Sequence, residues 1–271
     1  MIKRPMPDTV YKYRCWKESF HKNILLYNEL FMASPKDFND PFDCRIPPNF
    51  VGLSKREQEE YINDLIKSQK HVHGENHPLF IEAIANIRNE AKNPEKFQKR
   101  IEEKVFVSQD KYYGILSLSC RWNSILMWSI YGDNHKGFCV GFKEEQLRKI
   151  GFAGRIKMVE YNDSFPNLKP FIAQKPEDLI DPIFIQIFTK SKDWEHEHEY
   201  RFIKNYFDSD PLPFERLIYI NNDVFAEVIL GINISNSDRK EILKICKFKN
   251  IPTYQAFKVP FKFEIGKKPI I

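Results

Sequence analysis

The sequence has 271 residues, so it is long enough to bury a core. Its 42% of hydrophobic and 29% of charged residues are typical of a globular protein, whereas its 14% of aromatic residues is high. Its 42 basic and 37 acidic residues leave a net charge of +5, a mild bias that argues against a strongly basic nucleic-acid clamp. The five widely spaced cysteines form no CxxC pair and no apolar window approaches about 18 residues, so we expect no disulfide framework, no zinc knuckle, no membrane association and a cytoplasmic location.

The first predicted element is a strand over residues 10–15. Alternation places Lys12 and Arg14 on one of its faces and Tyr13 on the other. A guanidinium matches phosphate oxygens with two parallel hydrogen bonds, so Arg14 with Lys12 is a candidate phosphate clamp; the alternative is a surface salt bridge. A helix over about 20–29 is expected to follow.

A short strand over 30–34 leads into a loop at 39–43 that combines aromatic and acidic residues. We expect this loop to be ordered by its own hydrogen bonds, with Asp40 or Asp43 accepting from backbone N–H groups. We also expect Phe42 to be buried.

Residues 54–106 carry helical signals. Ser54 and Glu57 form a predicted capping box, and Pro78 and Pro94 are each expected to open a further helix. We interpret this segment as a helical insertion in a β-rich body, within a single domain that spans the whole chain.

The next strand, over 114–120, places Ser117 and Ser119 on one face, and Ser124 is the predicted N-cap of the helix that follows it. The later predicted elements are a strand over 137–142, a helix near 144–150, a strand over 155–161, a helix after Pro176, strands around 200–204, 216–220 and 227–232, a helix over 238–248 and two closing strands. This order predicts an α+β fold with a mixed or antiparallel sheet.

Residues 194–202 hold the densest group of polar side chains. As a strand, this segment would place Glu195, Glu197 and Glu199 on the same face as Arg201. Carboxylates held in a row raise one another's pKa unless a cation compensates them, which is an arrangement common at functional sites. The alternative is a solvated edge strand.

The pattern does not favour a metal site, because alternation sends His196 and His198 to the face opposite the carboxylates. The chain also lacks a P-loop, a GxGxxG motif, an HExxH motif and a GxSxG motif. We therefore predict no bound metal.

Several blocks in combination resemble the bacterial family catalogued as domain of unknown function 2971. The resemblance runs from about residue 10 to residue 231, and the blocks that carry it are 11–14, 39–43, 126–132, 135–142 and 194–201. The family name implies no activity.

A second resemblance is to ADP-ribosyltransferases of the Arg-Ser-Glu type. The order of Arg14 on an early strand, Ser117 and Ser119 on a middle strand, and Glu197 and Glu199 late in the chain is similar to that of this family. The resemblance implies that Arg14 holds the NAD pyrophosphate, the serines support the nicotinamide-ribose region, Glu199 stabilises the oxocarbenium-like transition state and Glu197 activates the acceptor.

Lys12 and Tyr13, beside Arg14, complete the expected NAD-binding residues. Leu118 stands where that family usually has Thr. The expected function is an ADP-ribosyltransferase-like enzyme that uses NAD to modify a nucleic acid or a protein, or that hydrolyses NAD, and by analogy a toxin or phage-defence effector. The alternatives are a non-catalytic nucleic-acid-binding or protein-binding module and a metal-dependent nuclease.

Overall fold

The structure is a computed structural model that describes residues 6–74, 77–170, 180–206 and 210–270. The chain divides into two compact units. The sheet unit comprises the residues up to 37, residues 112–161 and the residues from 192 onward, and the helical unit comprises residues 38–111 and 162–191.

The secondary-structure elements are numbered in chain order. The strands are β1 (Thr9–Arg14), β2 (Glu29–Phe31), β3 (Tyr113–Ser119), β4 (Phe138–Lys143), β5 (Arg155–Met158), β6 (Glu160–Asn162), β7 (Thr189–Ser191), β8 (Glu199–Asn205), β9 (Leu217–Tyr219), β10 (Phe225–Leu230), β11 (Thr253–Lys258) and β12 (Ile265–Pro269). The helices are α1 (Ser19–Leu26), α2 (Lys55–His73), α3 (Pro78–Ala91), α4 (Pro94–Tyr112), α5 (Ile125–Ile130), α6 (Glu144–Lys149), α7 (Ile180–Phe188) and α8 (Asn236–Lys249).

Within the described residues, eight strands of the sheet unit form one sheet in the order β12-β11-β10-β4-β1-β3-β8-β5. Neighbouring strands are antiparallel except β10 and β11, which are parallel. The α+β class with a mixed, mostly antiparallel sheet is therefore confirmed. The strands predicted over 10–15, 114–120, 137–142 and around 200–204 are β1, β3, β4 and β8, and all four belong to this sheet.

Alternation along the strands separates two faces of this sheet. One face carries a large hydrophobic cluster that includes Val10, Leu116, Phe202 and Val140, and α1, α6 and α8 contribute to it through residues such as Leu25, Leu147 and Ile242. The opposite face carries a smaller cluster whose buried members are Tyr11, Tyr13, Met127, Trp128, Cys139, Ile229, Ala256 and Ile265. We call these the large-cluster face and the tyrosine face.

Local signals set the helix starts of the helical unit. Ser54 Oγ accepts from the backbone of Glu57, whose carboxylate in turn accepts from Ser54 N at 2.8 Å, so the predicted capping box is confirmed. Pro78 and Pro94 are the first residues of α3 and α4, as predicted. The helices surround a core cluster that contains Phe50, Ile87, Phe97 and Ile101.

The prediction for the loop at 39–43 is confirmed in one part and wrong in another. Asp40 Oδ1 accepts from Phe42 N at 2.9 Å, so the loop is ordered by its own aspartate. The Phe42 side chain, however, is 63% exposed, and the expectation that it is buried is wrong. Asp40 itself is only 6% exposed, so the turn places this carboxylate inward and the neighbouring ring outward.

The strand predicted over 194–202 is wrong in its first half. Lys192–Glu197 form a 3-10 helix, and β8 begins only at Glu199. Between them His198 has φ 44°, a left-handed conformation that interrupts strand alternation. Glu195, Glu197 and Glu199 therefore do not form one row on a strand face.

Two smaller expectations also change. The strand predicted over 155–161 is divided into β5 and β6. Residues 171–179, where the helix after Pro176 was predicted to begin, lie outside the described residues, and α7 follows them. Across the helices that the structure describes, none combines the length and apolar character needed to cross a bilayer.

Candidate functional site

The strands that carry the predicted site residues are neighbours in the sheet. β3 lies between β1 and β8. Ser119 stands directly opposite Glu199 in the antiparallel register, and Ser117 stands opposite Arg201. Because partners in a register share a face, these four side chains belong to the tyrosine face, where Tyr11 is the partner of Ser119 on β1.

The Glu199 carboxylate accepts two parallel hydrogen bonds from Arg201. Arg201 Nε donates to Oε1 at 2.8 Å and Nη2 donates to Oε2 at 2.8 Å. Arg201 is 0% exposed and Glu199 is 5% exposed, so this bidentate pair is shielded from water. The backbone N–H of Glu199 donates to Tyr161 Oη at 2.8 Å, which fixes the start of β8.

Glu197 is buried beside this pair and is bonded differently. Its Oε1 accepts from the Tyr131 hydroxyl at 2.7 Å, and its backbone carbonyl accepts from Ser119 Oγ at 2.6 Å. Ser119 Oγ also accepts from the backbone N–H of Arg121 at 3.0 Å. The Ser119 hydroxyl therefore joins the end of β3 to the turn that precedes β8.

Lys12 and Arg14 lie on the other side of the sheet from Ser119 and Glu199. Their register partners on β4 are Val140 and Phe138, which belong to the large-cluster face. Of the predicted NAD-binding residues, Ser117 and Ser119 are thus brought to Glu199, and Arg14 is not placed on their face.

Lys12 nevertheless contacts β3. β1 and β3 share one register pair, and past it Lys12 Nζ donates to the Ser117 carbonyl at 2.5 Å. Burial and the nearby Arg14 charge lower the pKa of Lys12 well below its usual value, while Glu199 and Glu197 act in the opposite direction. The carboxylates of Glu199 and Glu197 are therefore close enough to influence the pKa of Lys12.

Arg14 belongs to a cluster of basic groups at the end of β1. Its guanidinium makes one long hydrogen bond, from Nη1 to the Tyr13 carbonyl at 3.5 Å, and burial lowers its pKa to about 10, so it stays protonated at neutral pH. Burial together with the charges of Arg14 and Lys12 lowers the pKa of His21 to about 4. Clustered cations with unused donors attract an anion such as a phosphate.

Tyr13 is a packing residue of the tyrosine face. It is 2% exposed, its ring meets Trp128 edge-on at a centroid distance of 5.2 Å, and its hydroxyl donates to the Arg121 carbonyl at 2.7 Å. Burial raises its pKa well above the usual value. Its side chain points to the side of β1 opposite Arg14.

A polar row crosses the sheet on the tyrosine face, and the sequence did not predict it. Successive register partners are Glu199, Ser119, Tyr11, Gly141 and Glu227. Tyr11 Oη donates to Glu227 Oε1 at 3.1 Å, and burial followed by the Glu227 charge raises the tyrosine pKa. The row depends on strand register, which no single segment of sequence reveals.

Tyr131 and His21 were also missed. Tyr131 follows α5 immediately, and its bond to Glu197 depends on where α5 packs. Among the described residues, no group of three or more His, Cys, Asp or Glu side chains is arranged to hold a metal ion.

Comparison with known proteins gives one match. Residues 127–202 are similar to a family described as Protein of unknown function (DUF2971), and this range includes Tyr131, Glu197, Glu199 and Arg201. No curated protein and no solved structure matches the chain.

Proposed function

We propose that this protein is an ADP-ribosyltransferase-like enzyme that uses NAD either to modify a nucleic acid or a protein or to hydrolyse NAD. The observation that carries the proposal is the direct opposition of Ser119 and Glu199 on β3 and β8, with β1 and Arg14 on the adjacent strand. The strands that carry the Arg, Ser-x-Ser and Glu elements are therefore neighbours in the sheet, with Arg14 on the face opposite Ser119 and Glu199.

In the proposed reaction the bond between ribose C1′ and the nicotinamide nitrogen breaks. Nicotinamide leaves with the electron pair, and positive charge develops on the ribose. A carboxylate fixed in position before the reaction stabilises such a charge without reorganisation. The bidentate contact with Arg201 holds Glu199 in one geometry, and this residue takes that role in the proposal.

Glu197 is the proposed partner for the incoming nucleophile. A hydroxyl of the acceptor or a water would lose its proton as it bonds to C1′, and a carboxylate is a suitable base. The Tyr131 hydroxyl donates to Glu197 Oε1 at 2.7 Å and orients the carboxylate.

The basic cluster supplies the proposed pyrophosphate contact. Arg14 has unused N–H donors, and Lys12 and His21 lie close enough for their charges to influence one another. Arg14 and Glu199 belong to opposite faces of the sheet, and Lys12, whose Nζ donates to the Ser117 carbonyl, is the basic residue that reaches from the Arg14 face to β3. Lys12 is therefore a critical residue for the proposal.

The proposal includes an ADP-ribosyltransferase fold, a cytoplasmic location and a role as a toxin or phage-defence effector. These parts rest on the resemblance of the sequence order, and catalysis by this mechanism needs no metal.

The first test is nicotinamide release from NAD, measured with and without DNA, RNA and protein acceptors. Glu199→Gln keeps the shape of the side chain and removes its charge, so turnover should fall by about 10²-fold or more. Glu195→Gln is the matched control, because Glu195 is exposed in the neighbouring 3-10 helix, and it should keep wild-type turnover.

Stability must be measured in the same experiment. Glu199→Gln removes the carboxylate that accepts from Nε and Nη2 of the buried Arg201, which destabilises the fold. If its melting temperature falls into the assay range, Glu197→Gln tests the site with the Glu199–Arg201 pair intact, and it should also lower turnover. Full turnover in both folded variants contradicts the catalytic assignment.

The proposed pyrophosphate contact at Arg14 and Lys12 is tested by measuring NAD binding. Arg14→Ala and Lys12→Ala should each weaken binding measured by titration calorimetry, because a phosphate contact is already made in the ground state. A wild-type protein that neither binds nor consumes NAD would contradict the enzyme proposal and favour a binding module.

A further inference from the structure

The C-terminal hairpin ends in a projecting aromatic tip. β11 and β12 are antiparallel and form the edge of the sheet, and residues 259–264 connect them. Val259 N donates to the Glu264 carbonyl at 3.0 Å and Lys262 N donates to the Val259 carbonyl at 3.2 Å, so the connection is a hydrogen-bonded turn. The tip has a defined conformation.

Two phenylalanines at this tip are fully exposed. Phe261 has 107% and Phe263 has 102% of the exposure of a reference side chain, so the rest of the chain covers neither ring. Large apolar side chains that project together from a protein surface are typical of an interaction site. Phe257, on the adjoining strand β11, is also partly exposed, at 37%.

The C-terminal part of the chain, which includes this hairpin, carries an excess of positive charge. Residues 236–271 contain nine basic and three acidic residues, whereas the whole chain has 42 and 37, so the other residues together carry a net charge of −1. Lys258, Lys262 and Lys268 are exposed on the hairpin itself. Lys267 is different, because it binds the buried Glu227 and lies 4.8 Å from the Trp122 ring centroid.

We propose that this surface, which we call the hairpin tip and define as Phe257, Lys258, Phe261, Lys262, Phe263 and Lys268, binds single-stranded nucleic acid. Exposed aromatic rings stack on bases whatever the sequence, and lysines beside them contact the phosphates. The alternation of Phe261, Lys262 and Phe263 supplies both contacts within three residues. This inference does not depend on the proposed NAD chemistry.

An anionic membrane is the competing partner for an aromatic and basic tip. Lys262 and Glu264 lie among and beside the two exposed rings, and both are themselves exposed. Insertion of the rings into hydrocarbon would carry these charges toward the bilayer interior, which is unfavourable. Stacking on bases leaves both charges in water and brings Lys262 near the phosphates, so the charge pattern favours nucleic acid.

The test is the affinity of the full chain for a fluorescein-labelled 20-nucleotide oligothymidylate and for the matching oligouridylate, measured by anisotropy without NAD. The variant Phe261→Ala/Phe263→Ala should bind about tenfold or more weakly, since two stacking contacts are lost. Phe214→Ala is the matched control, because Phe214 is 65% exposed and is followed by the acidic Glu215, and it should bind like the wild type.

The lysines are tested by salt dependence. The variant Lys258→Ser/Lys262→Ser/Lys268→Ser should reduce the slope of log affinity against log salt by about 2, since each phosphate contact to a single strand contributes about 0.7. A variant that removes the same charge elsewhere in the sheet unit, Lys17→Ser/Lys149→Ser/Lys157→Ser, should change the slope less, because those exposed lysines lie outside the hairpin tip.

All exchanged side chains are exposed, so equal melting temperatures are expected and an affinity change reports contact with the ligand. The proposal is overturned if the wild type binds neither oligonucleotide, or if the phenylalanine variant binds them as tightly as the wild type. Phenylalanine-dependent binding to phosphatidylserine vesicles, without oligonucleotide binding, would assign the hairpin tip to a lipid surface instead.

Discussion

The buried carboxylates of Glu199 and Glu197 each accept hydrogen bonds from a neighbouring side chain. Arg201 satisfies both Glu199 oxygens, and the Tyr131 hydroxyl satisfies one oxygen of Glu197. Burying a carboxylate is unfavourable unless donors of this kind replace water, which explains how two acidic side chains coexist in the interior. Lys12 lies close enough for both carboxylates to influence its pKa.

His21 provides a pH-dependent test at this scale. Its pKa in the folded protein is about 4, below the usual 6.5, because of burial and the charges of Arg14 and Lys12. The unfolded chain therefore binds a proton between these values that the folded chain does not bind. The contribution of His21 to stability is full above about pH 6.5 and is lost as the pH falls toward 4.

We expect an NMR titration to show His21 titrating near pH 4. Pyrophosphate bound at Arg14 would offset the positive charges and raise the His21 pKa, and Arg14→Ala should remove this response. The acid-side loss of stability should be smaller in His21→Gln. Titration near 6.5 would contradict the described electrostatic environment.

At the scale of secondary-structure elements, the serine N-caps of α5 and α2 allow two helix starts in different units to be compared. Ser124 Oγ accepts from Met127 N at 3.3 Å at the start of α5, and Ser54 caps α2 in the other unit. Replacing either serine with alanine should lower the free energy of unfolding by about 1 kcal/mol in urea titrations. The losses in unfolding free energy should be similar, because each serine hydroxyl accepts a hydrogen bond from a backbone N–H group of the first helical turn.

The two variants should differ in tryptophan fluorescence. α5 carries Trp128, whose ring contacts Tyr13 and whose Nε1 donates to the Trp122 carbonyl at 2.8 Å. Ser124→Ala loosens this short helix and should shift the emission, whereas Ser54→Ala should leave it unchanged. Equal shifts in both variants would show that the caps do not act locally.

The sequence predicts those elements whose signals are local. The serine caps, Pro78, Pro94 and the alternation of Lys12 and Arg14 each lie within a few residues, and the structure contains all of them. The sequence could not predict that Arg14 and Ser119 belong to opposite faces, because that depends on the register between β1 and β3. Nor could it predict the left-handed His198, since the alternating pattern of that segment continues through it.

On the scale of the whole molecule, the two units have separate hydrophobic cores. The sheet unit buries residues such as Phe202 in the large cluster, and the helical unit buries Phe97 with Phe50, Ile87 and Ile101. Both Phe97 and Phe202 are 0% exposed. A chain with two cores permits one part to open while the other keeps its hydrogen bonds.

Core truncations in each unit test this independence. Phe97→Ala should cost about 3–5 kcal/mol, and Phe202→Ala should cost a similar amount, because each leaves a cavity in a close-packed interior. We expect hydrogen exchange followed by mass spectrometry to show faster exchange of α2, α3 and α4 in Phe97→Ala, with β1, β3 and β8 still protected. Phe202→Ala should give the reverse pattern. If Phe97→Ala instead accelerates exchange in β3 and β8 as much as in α4, the two cores unfold together and the chain behaves as the single domain that its sequence predicts.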